Sequence, residues 1–234
     1  MELRHPELQM LTRVQTTLPL KSAYTLDDLA LALGRSKKTA YRHLQQLKQM
    51  GFVIASHDGV FTLRDSVFLP PSVIPKILPS LLAMGQERKF RLRNGDRGIE
   101  RARHLLMALG GFPTLDYAAY ELTGYQTPVA FYFYPDSLGQ AIKVLRENGY
   151  VESPRGSVIL LPKIGDFSDP IRRIFYDSLA VGGRGILDAI AITRQFPKET
   201  GSTGYLQSLL NMALKVEQDI GSDHLASSRR MRGD

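Results

Sequence analysis

The spacing of apolar side chains predicts helices at the start of the chain and a β-hairpin after them. Three segments have apolar residues at helical spacing and are each predicted to form a helix; they are residues 5–16, 26–33 and 36–50. Residues 52–55 and 60–63 are apolar and rich in β-branched side chains. They flank Asp58 and Gly59, the strongest short signal for a hairpin turn. We therefore predict three helices followed by a hairpin.

The third predicted helix has clear ends and two different faces. Ser36 is a good N-cap because its hydroxyl accepts a hydrogen bond from a free N–H group of the first turn, and Gly51 suits the left-handed conformation that ends many helices. Ala40, Leu44 and Leu47 form a narrow apolar stripe on one face. The other faces are basic and rich in donors, and they carry Lys37, Lys38, Tyr41, Arg42, Gln45 and Lys48.

The second and third helices are joined by a short connection. Thr25 is the predicted N-cap of the second helix, and only Gly34-Arg35-Ser36 separates its end from the third helix. Helices joined so closely must cross steeply, which is the helix-turn-helix arrangement with its second helix presented outward. With the helix before it and the hairpin after it, this order predicts a winged helix-turn-helix domain.

The run from Gly34 to Val53 resembles a known family. Its pattern, Gly-Arg-Ser-x-x-Thr-x-Tyr-Arg-His-Leu-x-x-Leu-x-x-x-Gly-Phe-Val, is similar to the core of bacterial and archaeal winged-helix transcription regulators, over about residues 5–65. The resemblance implies that exposed residues of the third helix enter the DNA major groove, while the hairpin tip contacts phosphate or the minor groove. The DNA-binding residues that it implies are Arg35, Ser36, Lys37, Lys38, Thr39, Tyr41, Arg42 and Gln45, with His57 at the wing. The alternative is a winged helix that contacts protein and whose lysines are a solvated face.

Proline residues mark the predicted domain boundary. Pro70 and Pro71 interrupt regular structure, and we place the boundary there, between a winged helix-turn-helix domain over residues 1–69 and a second domain over 70–220. A helix is expected from residue 73 to 84, capped by Ser72 and kinked at Pro79. Residues 221–234 are expected to form a flexible tail.

The second domain is predicted to alternate helix and strand. The pattern indicates a central aromatic strand over residues 129–134, and the fold class is therefore α+β, with a mixed α/β second domain. The other predicted strands are 150–151 and 158–161, and the other predicted helices are 97–109, 115–122, 135–149, 169–181, 186–196 and 204–220.

A dense basic run lies between the two predicted domains. Residues 86–97 alternate cations with Phe90 and Leu92, a pattern that predicts a strand with one charged face. Two interpretations remain open from the sequence. The run either extends a DNA footprint along the phosphate backbone or forms the solvent face of an edge strand, where charge discourages unwanted pairing.

The second domain has a fainter resemblance. Leu122-Thr123-Gly124 before an aromatic strand, then residues 174–180, a glycine-rich break and Leu187-Asp188-Ala189-Ile190 resemble the C-terminal domain of AbiE-type antitoxins of type IV toxin–antitoxin systems. The resemblance implies an autorepressing antitoxin with a cognate toxin as its partner. The family often has Gly-Asp-Pro at the break between the late helices, whereas this chain has Gly182-Gly183-Arg184-Gly185.

Composition and charge narrow the function classes. The 234 residues carry a net charge of +7 and contain no cysteine, which excludes disulfides, thiolate metal sites and thiol nucleophiles. The excess charge lies in residues 1–104, and a clustered excess of cations suits a polyanionic partner. With neither a long apolar segment nor a signal peptide in the sequence, we expect a cytoplasmic protein with no membrane partner.

The sequence shows no arrangement of residues that is typical of a catalytic site. Gly182–Gly185 lacks the features of a phosphate-binding loop and is predicted to be a turn between helices. Asp166, Asp169 and Asp177 are predicted to be solvated acids, and Tyr132 and Tyr134 to pack in the core.

We therefore expect a DNA-binding regulator that is not an enzyme and needs no cofactor or metal, with double-stranded DNA as its partner. Its second domain senses a ligand, forms a homodimer or binds a protein partner. The alternatives are a nucleic-acid-processing enzyme with a catalytic second domain and a protein-interaction module.

Overall fold

A computed structural model describes residues 5–18, 23–57, 59–93, 98–201, 204–206 and 211, with side chains for all of these except 5–8 and 55–57. The described chain is a mixed α+β structure with ten α-helices and two sheets. It divides into two compact units. The first contains the described residues up to Pro75 and those from Gly204 onward, and the second is Lys76–Thr203.

The first unit consists of three helices and a three-stranded antiparallel sheet. The strands are ordered β1-β3-β2. The elements are α1 His5–Thr17, β1 Tyr24–Thr25, α2 Leu26–Leu33, α3 Lys37–Gln49, β2 Val53–His57 and β3 Val60–Leu63. The helices and the hairpin that the sequence predicts in this region are all present.

Apolar faces of the three helices and of the sheet form the core of the first unit. The fully buried side chains include Val14 from α1, Leu29 from α2, Leu47 from α3 and Phe61 from β3. A reciprocal capping box starts α2, in which the Thr25 N–H donates to Asp28 Oδ2 (2.8 Å) and the Asp28 N–H donates to Thr25 Oγ1 (3.2 Å). The start of α2 is therefore fixed by local hydrogen bonds as well as by packing.

The second unit is built on a five-stranded sheet of order β5-β6-β8-β4-β7. The pair β6 and β8 is parallel, and all other neighbours are antiparallel. The 3-10 helix at Asp65–Phe68 belongs to the first unit, and α4 Ile74–Met84 begins in the first unit and continues into the second. The other elements of the second unit are β4 Arg88–Leu92, α5 Ile99–Met107, β5 Gly111–Thr114, α6 Leu115–Thr123, β6 Phe131–Pro135, α7 Leu138–Glu147, β7 Tyr150–Glu152, β8 Val158–Leu160, α8 Pro170–Val181, α9 Arg184–Gln195 and α10 Pro197–Thr200.

Side chains alternate between the two faces of this sheet. Phe90, Phe131 and Phe133 belong to a buried cluster that also contains Leu106 of α5 and Leu145 of α7. One face of the sheet is therefore covered by α5 and α7. The opposite face packs on α8, as described below for the side chain of Tyr134.

The aromatic strand β6 lies inside the sheet, as predicted. The basic run forms β4, and the position of β4 decides one of the two interpretations of that run. Because β4 pairs with β8 on one side and β7 on the other, the interpretation of an edge strand is wrong. The sequence prediction also omits β5, one of the two edge strands, because Gly111 and Pro113 are poor strand formers. Proline is tolerated at an edge, where its missing N–H costs no ladder bond.

Two late predictions fall largely on residues that are not described. Of the helix predicted over 204–220, only 204–206 and 211 are described, and the predicted tail at 221–234 lies outside the described residues. Within the described part of the chain, no helix is both long enough and apolar enough to cross a membrane.

Candidate nucleic-acid interface

The caps at the start of α3 and the residues buried on its inner side fix the direction in which its outer face points. Gly34 has φ +58° and ends α2 in the left-handed conformation, which lets the chain turn sharply into α3. The Thr39 N–H donates to the hydroxyl of Ser36, the N-cap, at 3.4 Å. Ala40 and Leu47 are fully buried. The opposite side of α3 is therefore directed away from the core.

The structure places the predicted DNA-binding residues on and just before this outer face. Lys38, Tyr41 and Arg42 follow one another at helical spacing, and the ring of Tyr41 is 54% exposed. The other exposed residues of the predicted set are Arg35, Ser36 and Lys37, while Thr39 and Gln45 are partly buried. His57 lies in β2, and its side chain is outside the described residues.

Two members of the set already have local partners. The Ser36 hydroxyl caps α3, and Lys37 Nζ lies 2.7 Å from Asp27 Oδ1 in α2. Both charges of this ion pair are about two-thirds exposed, so solvent screens the pair and it contributes little to stability. Lys38 and Arg42 form no ion pair within the described part of the chain, which leaves both cations available to a ligand.

The basic run around β4 is partly neutralised by acids of the second unit. Arg88 Nη2 donates to Glu152 Oε2 at 2.7 Å, and Lys89 Nζ lies 2.8 Å from Glu87 Oε1. Hydrogen bonding from Arg88 holds the pKa of Glu152 below its usual value. Arg91 and Arg93 are exposed and form no ion pair with a described residue. In the described part of the basic run, Arg91 and Arg93 are therefore the two cations left to bind phosphate.

A buried polar cluster in the second unit was not predicted from the sequence. Asp177 of α8 is fully buried, and it accepts hydrogen bonds from the hydroxyls of Thr114 (2.6 Å) and Tyr134 (3.2 Å). Arg173 Nε lies 3.0 Å from the same carboxylate, and Arg173 Nη2 donates to the Tyr134 hydroxyl oxygen at 2.6 Å. We name these four residues the α8 cluster.

The α8 cluster corrects the prediction that Asp177 is a solvated acid. Burial raises the pKa of its carboxyl group, and the charge of Arg173 opposes that rise. Burial also raises the pKa of the Tyr134 hydroxyl. The available signal in the sequence was the i, i+4 spacing of Arg173 and Asp177 beside the apolar residues Ile174, Phe175 and Leu179 of the same helix. Tyr134 is buried as predicted, but it also carries the hydroxyl of this cluster.

Only the first half of the glycine cluster is the predicted turn: Gly182 and Gly183 separate α8 from α9, whereas Arg184 and Gly185 already belong to the first turn of α9. A Cβ on Gly185 would lie 2.3 Å from the carbonyl oxygen of Ser178, so the two helices approach too closely there for a side chain. Beside this turn, Gln126 Nε2 donates to Asp188 Oδ1 at 2.8 Å. Burial raises the pKa of Asp188 to about 6.

Comparisons with known proteins assign neither a family nor a function to the chain. No family model, curated protein or solved structure matches the chain. In the described residues, no group of three or more histidine, cysteine, aspartate and glutamate side chains is arranged to hold a metal ion. The functional argument therefore depends on the outer face of α3 and on the charges around it.

Proposed function

We propose that this protein is a sequence-specific DNA-binding transcription regulator whose first unit acts as a winged helix-turn-helix. The single observation that carries the proposal is the outer face of α3, where Lys38, Tyr41 and Arg42 are exposed together at helical spacing. A helix of this kind fits the major groove of B-DNA, and the hairpin of β2 and β3 corresponds to the wing.

The exposed residues suit different parts of a DNA duplex. The planar guanidinium of Arg42 binds guanine edges or phosphate with two hydrogen bonds, whereas Lys38 acts as a point charge on phosphate. Tyr41 donates a hydrogen bond to phosphate or stacks on the sugar and base edges. Lys37 and Ser36 contribute less, because an ion pair and a helix cap already engage them.

The second unit has a separate role in this proposal. We propose that it binds a protein partner, forms a homodimer or senses a ligand, and the resemblance to AbiE-type antitoxins favours a cognate toxin as the partner. The glycine-rich segment Gly182–Gly185 at the junction of α8 and α9 differs from the Gly-Asp-Pro of that family. A nucleotidyltransferase-like toxin encoded by the neighbouring gene would support the antitoxin role.

The test is a salt titration of DNA binding by the full chain. A labelled duplex from the region upstream of the protein's own gene is titrated by fluorescence anisotropy at several salt concentrations. Lys38→Ala should weaken binding and reduce the slope of log K against log salt by about one, because one phosphate contact is lost. Lys143→Ala is the matched control, since Lys143 is an exposed helical lysine of the second unit; it should leave both quantities unchanged.

Equal behaviour of the two lysine variants would contradict the proposed role of α3. Arg42→Ala adds a test of base recognition, since losing a base contact should relax discrimination at one position of the site as well as weaken binding. If the wild-type protein binds the upstream duplex no better than an unrelated duplex, sequence-specific regulation is excluded.

A protein-interaction module is the second candidate, and one observation favours it. Among the described residues of the first unit, Leu31, Ile54 and Val60 are exposed apolar side chains outside the proposed DNA-binding set, and Leu31 is 85% and Ile54 55% exposed. Surface residues of this kind support protein contacts when they adjoin one another. A first unit that binds no DNA but loses a protein partner on Leu31→Ser and Ile54→Ser would support this role in place of regulation.

A further inference from the structure

A small cavity lies beside the start of α3, and its wall carries concentrated positive charge. Its volume is about 190 Å³, and side chains of α1, α2, α3 and the connection between α2 and α3 form its wall. The lining residues are Gln9, Met10, Arg13, Leu33, Arg35 and His43. We name it the α3 cavity.

The α3 cavity has an apolar part and a cationic part. Met10 and Leu33 are 4% and 3% exposed, so they form a fixed apolar floor. Arg13 and Arg35 are exposed guanidinium groups, and none of the described lining residues is acidic. Two exposed positive charges therefore line one small cavity, where both can be reached by an anion from solvent.

Local hydrogen bonds hold two of the lining side chains in place. Arg13 Nη1 donates to the carbonyl of Leu33 at 3.4 Å, which uses one of five guanidinium N–H groups and leaves others for a ligand. His43 Nδ1 lies 2.8 Å from Gln46 Oε1, so this contact sets the orientation of the imidazole ring. A site whose donors are already oriented loses less entropy when it binds.

The size of the cavity limits the ligand. Pockets for drug-sized ligands have volumes of roughly 300–1,000 Å³, and 190 Å³ falls below that range. A single phosphate group fits within such a volume. Guanidinium groups bind phosphate with two parallel hydrogen bonds, which makes paired arginines well suited to this group.

We propose that the α3 cavity binds one phosphate group through Arg13 and Arg35. The phosphate comes either from the DNA backbone beside the groove that α3 enters or from a free phosphorylated ligand. The DNA source rests on the proposed function, while binding of a free phosphate does not. Arg13 lies outside the predicted DNA-binding set, so the proposal adds a ligand-binding residue from α1.

The first experiment titrates the full chain with inorganic phosphate and follows the imidazole Cε1–H resonance of His43 by NMR. His43→Gln assigns that resonance, and a parallel titration with sodium chloride at equal ionic strength corrects for screening. We expect a saturable shift that phosphate causes and chloride does not. Arg13→Gln and Arg35→Gln should each weaken binding roughly tenfold or more, because each removes charge-assisted hydrogen bonds, while Lys143→Gln should not.

The second experiment measures DNA binding by the same variants. A reduction of about one in the salt slope for Arg13→Gln, with wild-type circular dichroism, supports the DNA backbone as the source. Phosphate binding together with an unchanged salt slope, or with no DNA binding by the wild type, supports a free phosphorylated ligand. The proposal is overturned if the His43 shift survives in both arginine variants, or if neither phosphate binding nor the salt slope depends on Arg13.

Discussion

At the scale of single residues, the α8 cluster places two opposite charges in the protein interior. A carboxylate and a guanidinium are both buried, and two hydroxyls complete the hydrogen bonds of the carboxylate. The net contribution of such a pair to stability is small, because desolvation offsets the Coulomb attraction. Removing one partner is different, since it leaves the other charge buried without compensation.

We therefore predict that Asp177→Ala lowers the free energy of unfolding by about 3–5 kcal/mol. Urea denaturation followed by circular dichroism measures the effect. The double variant Arg173→Met with Asp177→Leu should recover much of the loss, since apolar side chains replace both charges. Asp136→Ala is the exposed control because Asp136 pairs with Lys163 at the surface, and it should cost no more than about 1 kcal/mol. An equal cost for Asp177→Ala and Asp136→Ala would contradict this account.

Asp188 links stability to pH. Its pKa rises from 3.8 to about 6, mainly through burial; the nearby charge of Asp116 adds to the rise, while Gln126 and Arg184 oppose it. The folded state therefore binds a proton more tightly than the unfolded state between about pH 4 and pH 6. The stabilisation from protonation is complete below pH 4 and is lost as the pH increases through 6.

The predicted consequence is a decrease in unfolding free energy between pH 4 and pH 6 that disappears in Asp188→Asn. Its size is at most about 3 kcal/mol, from the difference between the two pKa values. The measurement is the difference between wild-type and Asp188→Asn stability across this pH range, which cancels other carboxyl groups. Asp116→Asn should move the decrease to lower pH. A difference curve that is flat between pH 4 and pH 6 would refute the assignment.

At the scale of elements, the N-terminus of α3 connects stability with the proposed DNA contact. Ser36→Ala should cost about 1 kcal/mol because the Thr39 N–H loses its acceptor. Ser36→Asp should keep the cap, since aspartate is an equally good N-cap residue. Its new negative charge should nevertheless weaken DNA binding through repulsion from phosphate. Thermal unfolding and anisotropy titration separate the two effects, and tight DNA binding by Ser36→Asp would show that phosphate does not approach this end of α3.

Local signals explain which elements the sequence was able to predict. The cap at Ser36, the left-handed Gly34 and the stripe of Ala40 and Leu47 all act within a few residues, so the bounds of α3 follow from the sequence. The interior position of β4 depends on pairing with β7 about 60 residues away and with β8 about 70 residues away, and no local pattern in the sequence indicates it. The α8 cluster combines β5, β6 and α8 in the same non-local way.

In the candidate site, too, the sequence predicted the features that depend on local spacing but not those that depend on long-range packing. Exposure of Lys38, Tyr41 and Arg42 follows from helical spacing, because the buried stripe fixes which side of α3 is left outside. The ion pair of Lys37 with Asp27 and the α3 cavity need the packing of α1 and α2 against α3, so the sequence alone did not indicate them. Arg13 lines the α3 cavity only because α1 packs beside α2 and α3.

At the scale of the whole molecule, each of the two compact units contains buried apolar residues and polar features of its own. Leu29, Leu47 and Phe61 belong to the core of the first unit, whereas the α8 cluster lies within the second. Local stability follows such cooperative units, and opening of one unit need not open another. Damage to the α8 cluster should therefore be confined to the unit that contains it.

Hydrogen exchange of Asp177→Ala tests this expectation on the full chain. Amide exchange should accelerate in β6 and α8, because the variant lowers the stability of the unit that contains them. Exchange in α2 and α3 should match the wild type, and the DNA affinity at low temperature should be retained for the same reason. Leu47→Ala, which opens a cavity in the first unit, should give the reverse pattern. Equal acceleration in both units for either variant would show that they unfold together, and the separation of a DNA-binding unit from a partner-binding unit would then lose its physical basis.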